Sequence, residues 1–433
     1  MSGDAAPQPG TAAFASHIWR DFALAEMHAR PFTPMPVPRR ILHFAFMPEG
    51  EARAADRAAV RAFCLAQGRP GPASKAKYHR AEFDGFVLRW EGHSEFTTYT
   101  FEIPGGTTPF EPAAAGFLHL MQQVPQPGPL LVMVDLHVLP ADAEAAAMAG
   151  LADDDIAMAD IEDGAGKIIT QFQADADGFV RIAIVDHGLT PMQAGAAVQR
   201  VLEIETYRML SLLGLPTALD LAPAIRRIEL QLPGLMDEMR ESRAIEANRN
   251  LLDRLTALAA ELETDASASS FRFGATRAYE DLVRLRLAAL NERAIAGRIS
   301  WTAFLARRLQ PAIRTCATIQ ERQDGLSRKL ARAAQLLRTR VDIDLETQNG
   351  EVLRAMNDRA RLQLRLQQTV EGLSVAAISY YIASLAHHVF EGLHAAGWHV
   401  DPLIATAASV PVALALVGYV VWRIRRGHSE SEI

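Results

Sequence analysis

The feature that most restricts this chain is an uncharged run near its C-terminus. Pro402 to Trp422 (PLIATAASVPVALALVGYVVW) contains no Asp, Glu, Lys or Arg, and roughly 20 apolar residues suffice to cross the hydrocarbon core of a bilayer. Pro411 inside it is compatible with a membrane helix, where neighbouring groups satisfy the carbonyl that proline leaves free. Leu373 to Phe390 is a second uncharged run if His387 and His388 are neutral, and it carries serines and tyrosines as well. Glu391 to Asp401 is too short to be a domain and reads as the turn between them. The remainder is unlike a polytopic membrane protein or a disordered chain: 49% of residues are hydrophobic and 22% charged. The expectation is a mostly soluble chain ending in a two-helix transmembrane hairpin, with the lipid bilayer as its partner.

The flanks of the hairpin predict its orientation. Arg359, Arg361 and Arg365 precede the first run, Arg423, Arg425 and Arg426 follow the second, and the turn has neither Lys nor Arg. The positive-inside rule then places both termini and the bulk of the chain in the cytoplasm. A formal net charge of −7 argues against nucleic acid as a partner. Cys64 and Cys316 form no disulfide framework or zinc motif and suit a reducing compartment. The arm 1–20, rich in Gly, Ala and Pro at its start, reads as disordered and has no signal-peptide core.

Residues 21–187 read as an α/β (α+β) domain, mainly antiparallel in its hairpins. Asp21 to Ala29 suggests a short helix. Arg40 to Met47 fits a strand, and Glu51 to Gln67 is Ala-rich and helical. Phe86 to Ile103 is dense in aromatic and β-branched residues, with a turn at Glu91-Gly92-His93. Leu130 to Leu139 reads as a strand buried on both faces. Lys167 to Phe172 and Phe179 to Val185 flank Asp177-Gly178, a strong hairpin signal. Asp175 and Asp177 resemble half a calcium loop, but Gln173 and Ile184 occupy ligand positions, so a turn is favoured. Asp153, Asp154 and Asp155 read as a solvated loop.

Residues 188–300 form a helical region. Thr190-Pro191 starts a helix that should stop at Gly214-Leu215-Pro216. Helical periodicity then resumes at Ala222 and runs to Thr264, with a break at Pro233-Gly234, and returns from Phe271. Ser300 can cap a helix at Trp301, and Pro311 should kink or restart it. Residues 301–368 make a stalk: from Ala312 to Gln368 one helix would span about 85 Å at ~1.5 Å per residue. Leu326, Leu330, Leu337, Val341, Leu345, Val352 and Met356 line one side of it. Residues 369–423 are the hairpin and 424–433 a cytoplasmic tail.

Two sets of residues are candidates for function. Gln367, Glu371, Ser374, Tyr381, Ser384 and His388 put a polar stripe on one face of the first span, opposite Val375, Ile378 and Ile382. Polar groups in a bilayer turn toward protein or water, so the stripe reads as a helix interface or a pore lining. His28, Arg30, Arg89 and Trp90 could gather an anion or small ligand. No P-loop, dinucleotide fold fingerprint, nucleophile elbow or zinc-protease motif occurs in the sequence, so no catalytic residue, cofactor or metal is predicted and a non-enzymatic role is expected.

Several segments resemble a known family. They are His28-Ala-Arg-Pro-Phe32, Arg89-Trp-Glu91, Glu95-Phe-Thr-Thr-Tyr-Thr-Phe101, Leu202-Glu-Ile-Glu-Thr-Tyr-Arg208, Leu336-Leu-Arg-Thr-Arg-Val341 and Arg361 to Ser374. Together they resemble the bacterial domain of unknown function 3422 family, whose members are described as membrane-anchored. The resemblance covers nearly the whole chain, implies the bacterial inner (cytoplasmic) membrane and supplies no activity. The order of parts is also similar to CorA-type magnesium channels, which form homo-oligomers and carry Gly-Met-Asn after their first span. Here Glu391 to Gly397 stands in that place without it. The expected function is a membrane-anchored binding or scaffold protein. The alternatives are a CorA-like oligomeric ion channel and a membrane-tethered enzyme.

Overall fold

A computed structural model describes residues 17–20, 23–24, 32–106, 108–111, 121–151, 155–399 and 401–429. Most of the expected helix over Asp21 to Ala29, most of the arm 1–20, and Asp153 and Asp154 lie outside the described residues. The fold is mixed α/β: a nine-stranded sheet, long helices, and two apolar helices near the C-terminus.

In chain order the elements begin with β1 (Arg39–Phe46), α1 (Ala52–Ala66), β2 (Tyr78–Phe83), β3 (Phe86–Gly92), β4 (Thr97–Pro104) and β5 (Leu130–Pro140). Next come α2 (Glu144–Ala149), β6 (Ala157–Ile161), β7 (Gly166–Ala174) and β8 (Val180–Asp186). The helices α3 (Pro191–Leu212), α4 (Gly214–Glu241) and α5 (Ile245–Ala289) follow. β9 (Arg293–Ala294), α6 (Trp301–Arg308), α7 (Gln310–Ala395) and α8 (Pro402–Ser429) complete the chain. The sheet order is β2-β3-β4-β1-β5-β8-β7-β6-β9. β5 and β8 pair in parallel and the other named pairs are antiparallel.

Strand pleating sorts the core. Leu42, Phe44 and Phe46 of β1 join Leu88, Trp90, Tyr99 and Phe101 against Val60, Phe63 and Cys64 of α1. Ile41 and Ala45, on the other face, join Val132, Val134, Leu136 and Val138 of β5 against Ala194, Val198, Val201 and Leu202 of α3. The Asp177-Gly178 turn forms as its residues dictate. Gly178 takes φ +89°, and Asp175 Oδ1 accepts the amides of Asp177 (3.0 Å) and Phe179 (2.9 Å), which commits that carboxylate to the turn. Thr190 closes a capping box with Gln193, with Pro191 in the first turn.

The helical boundaries depart from expectation in two places. α3 ends at Leu212, at the expected stop, but α4 opens at Gly214 rather than Ala222 and continues through Pro216, Pro223 and Pro233. The break comes between Glu241 and Ile245. A proline inside a helix costs about 3 kcal/mol, and here Ile225, Ile228, Leu232 and Leu235, at threes and fours, bury one face across Pro233, with Ala218 buried on the far side of Pro223. The expected stop before Phe271 is also absent, because α5 is continuous to Ala289. Ser300 caps α6 as expected, and α7 restarts at Gln310 beside Pro311.

The chain divides into two compact units, Met1–Glu238 with Arg254–Arg332, and Met239–Asp253 with Ala333–Ile433. In the first, α4, α5 and α7 are cross-linked by ion pairs and amides. Arg322 grips Glu229 with two bonds (3.0 and 2.6 Å), Arg227 pairs with Glu261, and Arg277 reaches Gln320 at 2.5 Å. That pairing holds the Glu229 carboxyl below its usual range. In the second unit, Leu337 and Val341 are buried, and Arg340 donates to the Met239 carbonyl at 2.9 Å. Leu345 is half-buried, whereas Val352 and Met356 are exposed, so the side of α7 expected to be buried throughout is covered only in its first part.

Candidate functional site

A cavity of about 260 Å³ opens within the first unit, between the α3 face of the sheet and α3 itself. Strand alternation supplies its floor: His43 from β1, Arg89 and Glu91 from β3, and Thr98 from β4. Gln199, Arg200, Glu203, Thr206 and Tyr207 line it from α3, and Arg286 from α5. Phe32 closes the wall because the extended segment after it crosses α3 at Gly195, with Met35 N donating to Pro191 O at 2.8 Å. A Cβ on Gly195 would stand 2.0 Å from the Thr33 carbonyl oxygen, so only glycine admits this crossing.

His43 is locked at the base. Its Nε2 lies 3.0 Å from Thr206 Oγ1, whose own proton goes to Leu202 O at 2.8 Å. Nε2 therefore donates, and Nδ1 accepts from Thr100 Oγ1 at 2.8 Å. Burial, helped by the Arg89 charge, pushes the imidazole pKa down to about 3, so it is neutral at physiological pH.

The cavity's charges are unequally engaged. Arg200 donates to Glu162 at 2.8 Å and sits over the Phe32 ring at 5.6 Å. Arg286 is bonded to Glu203, which also accepts from Gln199 at 3.0 Å. Arg89 is only 9% exposed, yet among the described residues its Nε has no hydrogen-bond acceptor; Glu91 Oε1 is 3.4 Å away and poorly aligned. His93 stacks on Phe96 at 4.0 Å and lies 3.6 Å from the second Glu91 oxygen.

The structure separates the predicted ligand residues. Arg89 lines the cavity. Trp90, its neighbour on β3, points to the opposite face, where its indole and the Tyr99 hydroxyl both donate to buried Asp56 of α1. Burial raises the Asp56 pKa, and these two donors offset part of that rise. His28 and Arg30 lie outside the described residues. His43, His93, Glu203, Tyr207 and Arg286 were not singled out beforehand as ligand residues. The available signal was period-two polarity at Arg89, Glu91 and His93, with polar groups at Gln199 and Glu203 one helical turn apart. Segments carrying the family resemblance meet here, since Phe32, Arg89, Glu91, Phe96, Thr98, Glu203, Thr206 and Tyr207 all come from them.

Within the second unit, the polar stripe lies off the hairpin contact. His387 Nδ1 meets Thr406 Oγ1 at 3.0 Å, and Ser379, Ala413 and Val417 are buried. Ser374 donates to its own helix at Val370 O, Tyr381 is 67% exposed, and His388 is exposed 3.5 Å from Glu391. Gln367 reaches Glu371 at 3.2 Å along the same helix, and Ser384 is half-buried.

Comparison with curated proteins and with solved structures gives no match to this chain. Residues 15–428 match the family described as "Protein of unknown function (DUF3422)", and the chain belongs to that family.

Proposed function

We propose that this chain is a membrane-anchored binding protein. In this reading α8 and the final part of α7 form a transmembrane hairpin, and the α/β unit is a cytoplasmic binding module. One observation carries it: both helices are long and apolar enough to cross a membrane, and their apolar side chains face outward. Leu403 is 77% and Leu416 58% exposed, a disposition that water disfavours and lipid favours. The arginines at both outer ends, with none in the turn, support a cytoplasmic location for the termini and bulk at the bacterial inner membrane. Binding rather than catalysis is favoured because His43 has both ring nitrogens engaged, and two of the three arginines described in the cavity lining are committed to carboxylates. Carbonate washing of isolated membranes tests the anchor. The chain should stay in the pellet and leave it only with detergent; recovery in the wash contradicts the reading.

A second reading has its own support. Tyr381 and His388 are exposed on a span whose contact with α8 runs through His387. Inside a bilayer such groups need protein or water, which favours a homo-oligomer with these stripes turned inward, as in a CorA-like ion pathway. Mass in detergent and divalent-cation influx into liposomes test it. A monomer without flux removes this reading and leaves the anchor standing.

A further inference from the structure

The cavity around Arg89 has the properties of a ligand site with a definable chemistry. A guanidinium this deeply buried is costly to leave without full hydrogen bonding, and its Nε lacks an acceptor among the described residues. The other two arginines lining the cavity are engaged, Arg200 by Glu162 and Arg286 by Glu203. Arg89 has Glu91 nearby, but at 3.4 Å and out of line, and Glu91 is shared with His93.

We propose that this cavity binds a small monocarboxylate, its carboxylate seated on the buried guanidinium of Arg89. The proposal rests on the reading of the α/β unit as a binding module. Charge selects the class. Among the described lining residues Arg89 is the incompletely paired cation and suits one negative charge, whereas the second charge of a phosphate dianion would lie near the Glu91 carboxylate, with Arg200 and Arg286 already committed to Glu162 and Glu203. Geometry agrees, because the planar guanidinium fork matches a carboxylate through two parallel bonds. Size limits the ligand: about 260 Å³ lies below the range of roughly 300–1,000 Å³ of drug-sized sites. The walls describe the rest of it. Thr98 and Gln199 offer neutral hydrogen-bonding groups, and Phe96 and Tyr207 offer aromatic surface. A short hydroxy- or oxo-carboxylate suits them better than a purely aliphatic acid.

Titration calorimetry on the full chain in detergent, at low ionic strength, tests this with lactate, pyruvate and mandelate. Lactamide, mandelamide and inorganic phosphate serve as comparisons. At least one of the carboxylates should bind the wild type, and its amide should not. Arg89→Lys keeps the charge and loses the fork, so affinity should fall at least about tenfold. Glu91→Gln removes the competing carboxylate, so the same ligand should bind several-fold more tightly, a gain that misfolding cannot mimic. No binding by any of the three carboxylates, phosphate binding more tightly than all of them, or unchanged affinity in both variants would overturn the proposal. Membrane retention is scored on the same preparations. Binding by a chain recovered in the carbonate wash would refute the anchor and leave the site intact; retention without binding would do the reverse.

Discussion

Strand β5 and helix α8 are built from nearly the same residues and dispose of them in opposite ways. In β5, Val132, Val134, Leu136 and Val138 pack against α3, while Leu139 packs with Ile169 and Val185 on the other face. In α8, Leu403, Ile404, Val412 and Leu416 face outward, and among the described side chains only Ala413 and Val417 are buried. Apolar composition therefore says only that a segment avoids water. Its neighbours decide how. β5 lies inside a sheet covered by helices on its α3 face, so its apolar side chains from Val134 to Leu139 find protein, and only its first residues are open. A helix in a two-helix hairpin has protein on one side only, and the anchor proposed above gives lipid as the solvent of the other.

The contrast can be broken most sharply on α7, which contains both situations. Leu337→Asp places an unpaired charge at a fully buried position and should cost about 4 kcal/mol. Val352→Asp, at a position 58% exposed, should change stability by less than about 0.5 kcal/mol. Chemical unfolding of both variants checks this, and their mass in detergent sharpens it. If Val352→Asp lowers that mass, the outer part of α7 packs against a second copy.

The next effect compares the two regions directly. Leu136→Ala leaves a hole in the centre of the sheet and should cost about 2–5 kcal/mol. Leu416→Ala removes a side chain that no protein group encloses, so unfolding of the detergent-solubilised chain should move by less than about 0.5 kcal/mol. A comparable loss at both positions would mean that α8 is packed as a core helix.

A smaller effect belongs to the α/β unit alone. His43 titrates near 6.5 when unfolded and at about 3 in the fold. The unfolded chain thus binds more protons between those values, so stability is full above about pH 6.5 and falls as pH drops toward 3. Between pH 7 and 5 the loss should be about 2 kcal/mol. His43→Gln should flatten that slope in urea unfolding, and an unchanged slope would show that His43 is not its source.

Much of the first region was legible because single residues force local geometry. Asp177-Gly178 dictates a hairpin, Thr190-Pro191 and Ser300 cap helices, and Pro311 marks a restart. The strands that went unread are those whose signal is weak. β2 buries only Ala81 among its six residues, and β6 is built on Ala157, Met158 and Ala159, none a strong strand former. Pro233 misled for the opposite reason, since a local breaker was overridden by a buried face visible only in three dimensions. At the site, Arg89 was legible as a candidate. Its separation from Trp90 follows from strand pleating, which sends neighbours to opposite faces. Some of its companions, Glu91 and His93 among them, are local, but others come from α3 and α5, more than a hundred positions away, and no local pattern ties Arg89 to Glu203 or Arg286.

The most direct test of the anchor is the side of the membrane on which each end of the hairpin lies. Single cysteines replace Ala396, in the turn, and Ser429, near the end of α8, in a chain whose own two cysteines are substituted. Intact cells are then treated with a membrane-impermeant thiol reagent. A hairpin with both ends in the cytoplasm gives labelling at Ala396 in intact cells, and at Ser429 only after permeabilisation. Labelling of Ser429 in intact cells, or protection of Ala396 beside a labelled external control, would contradict it.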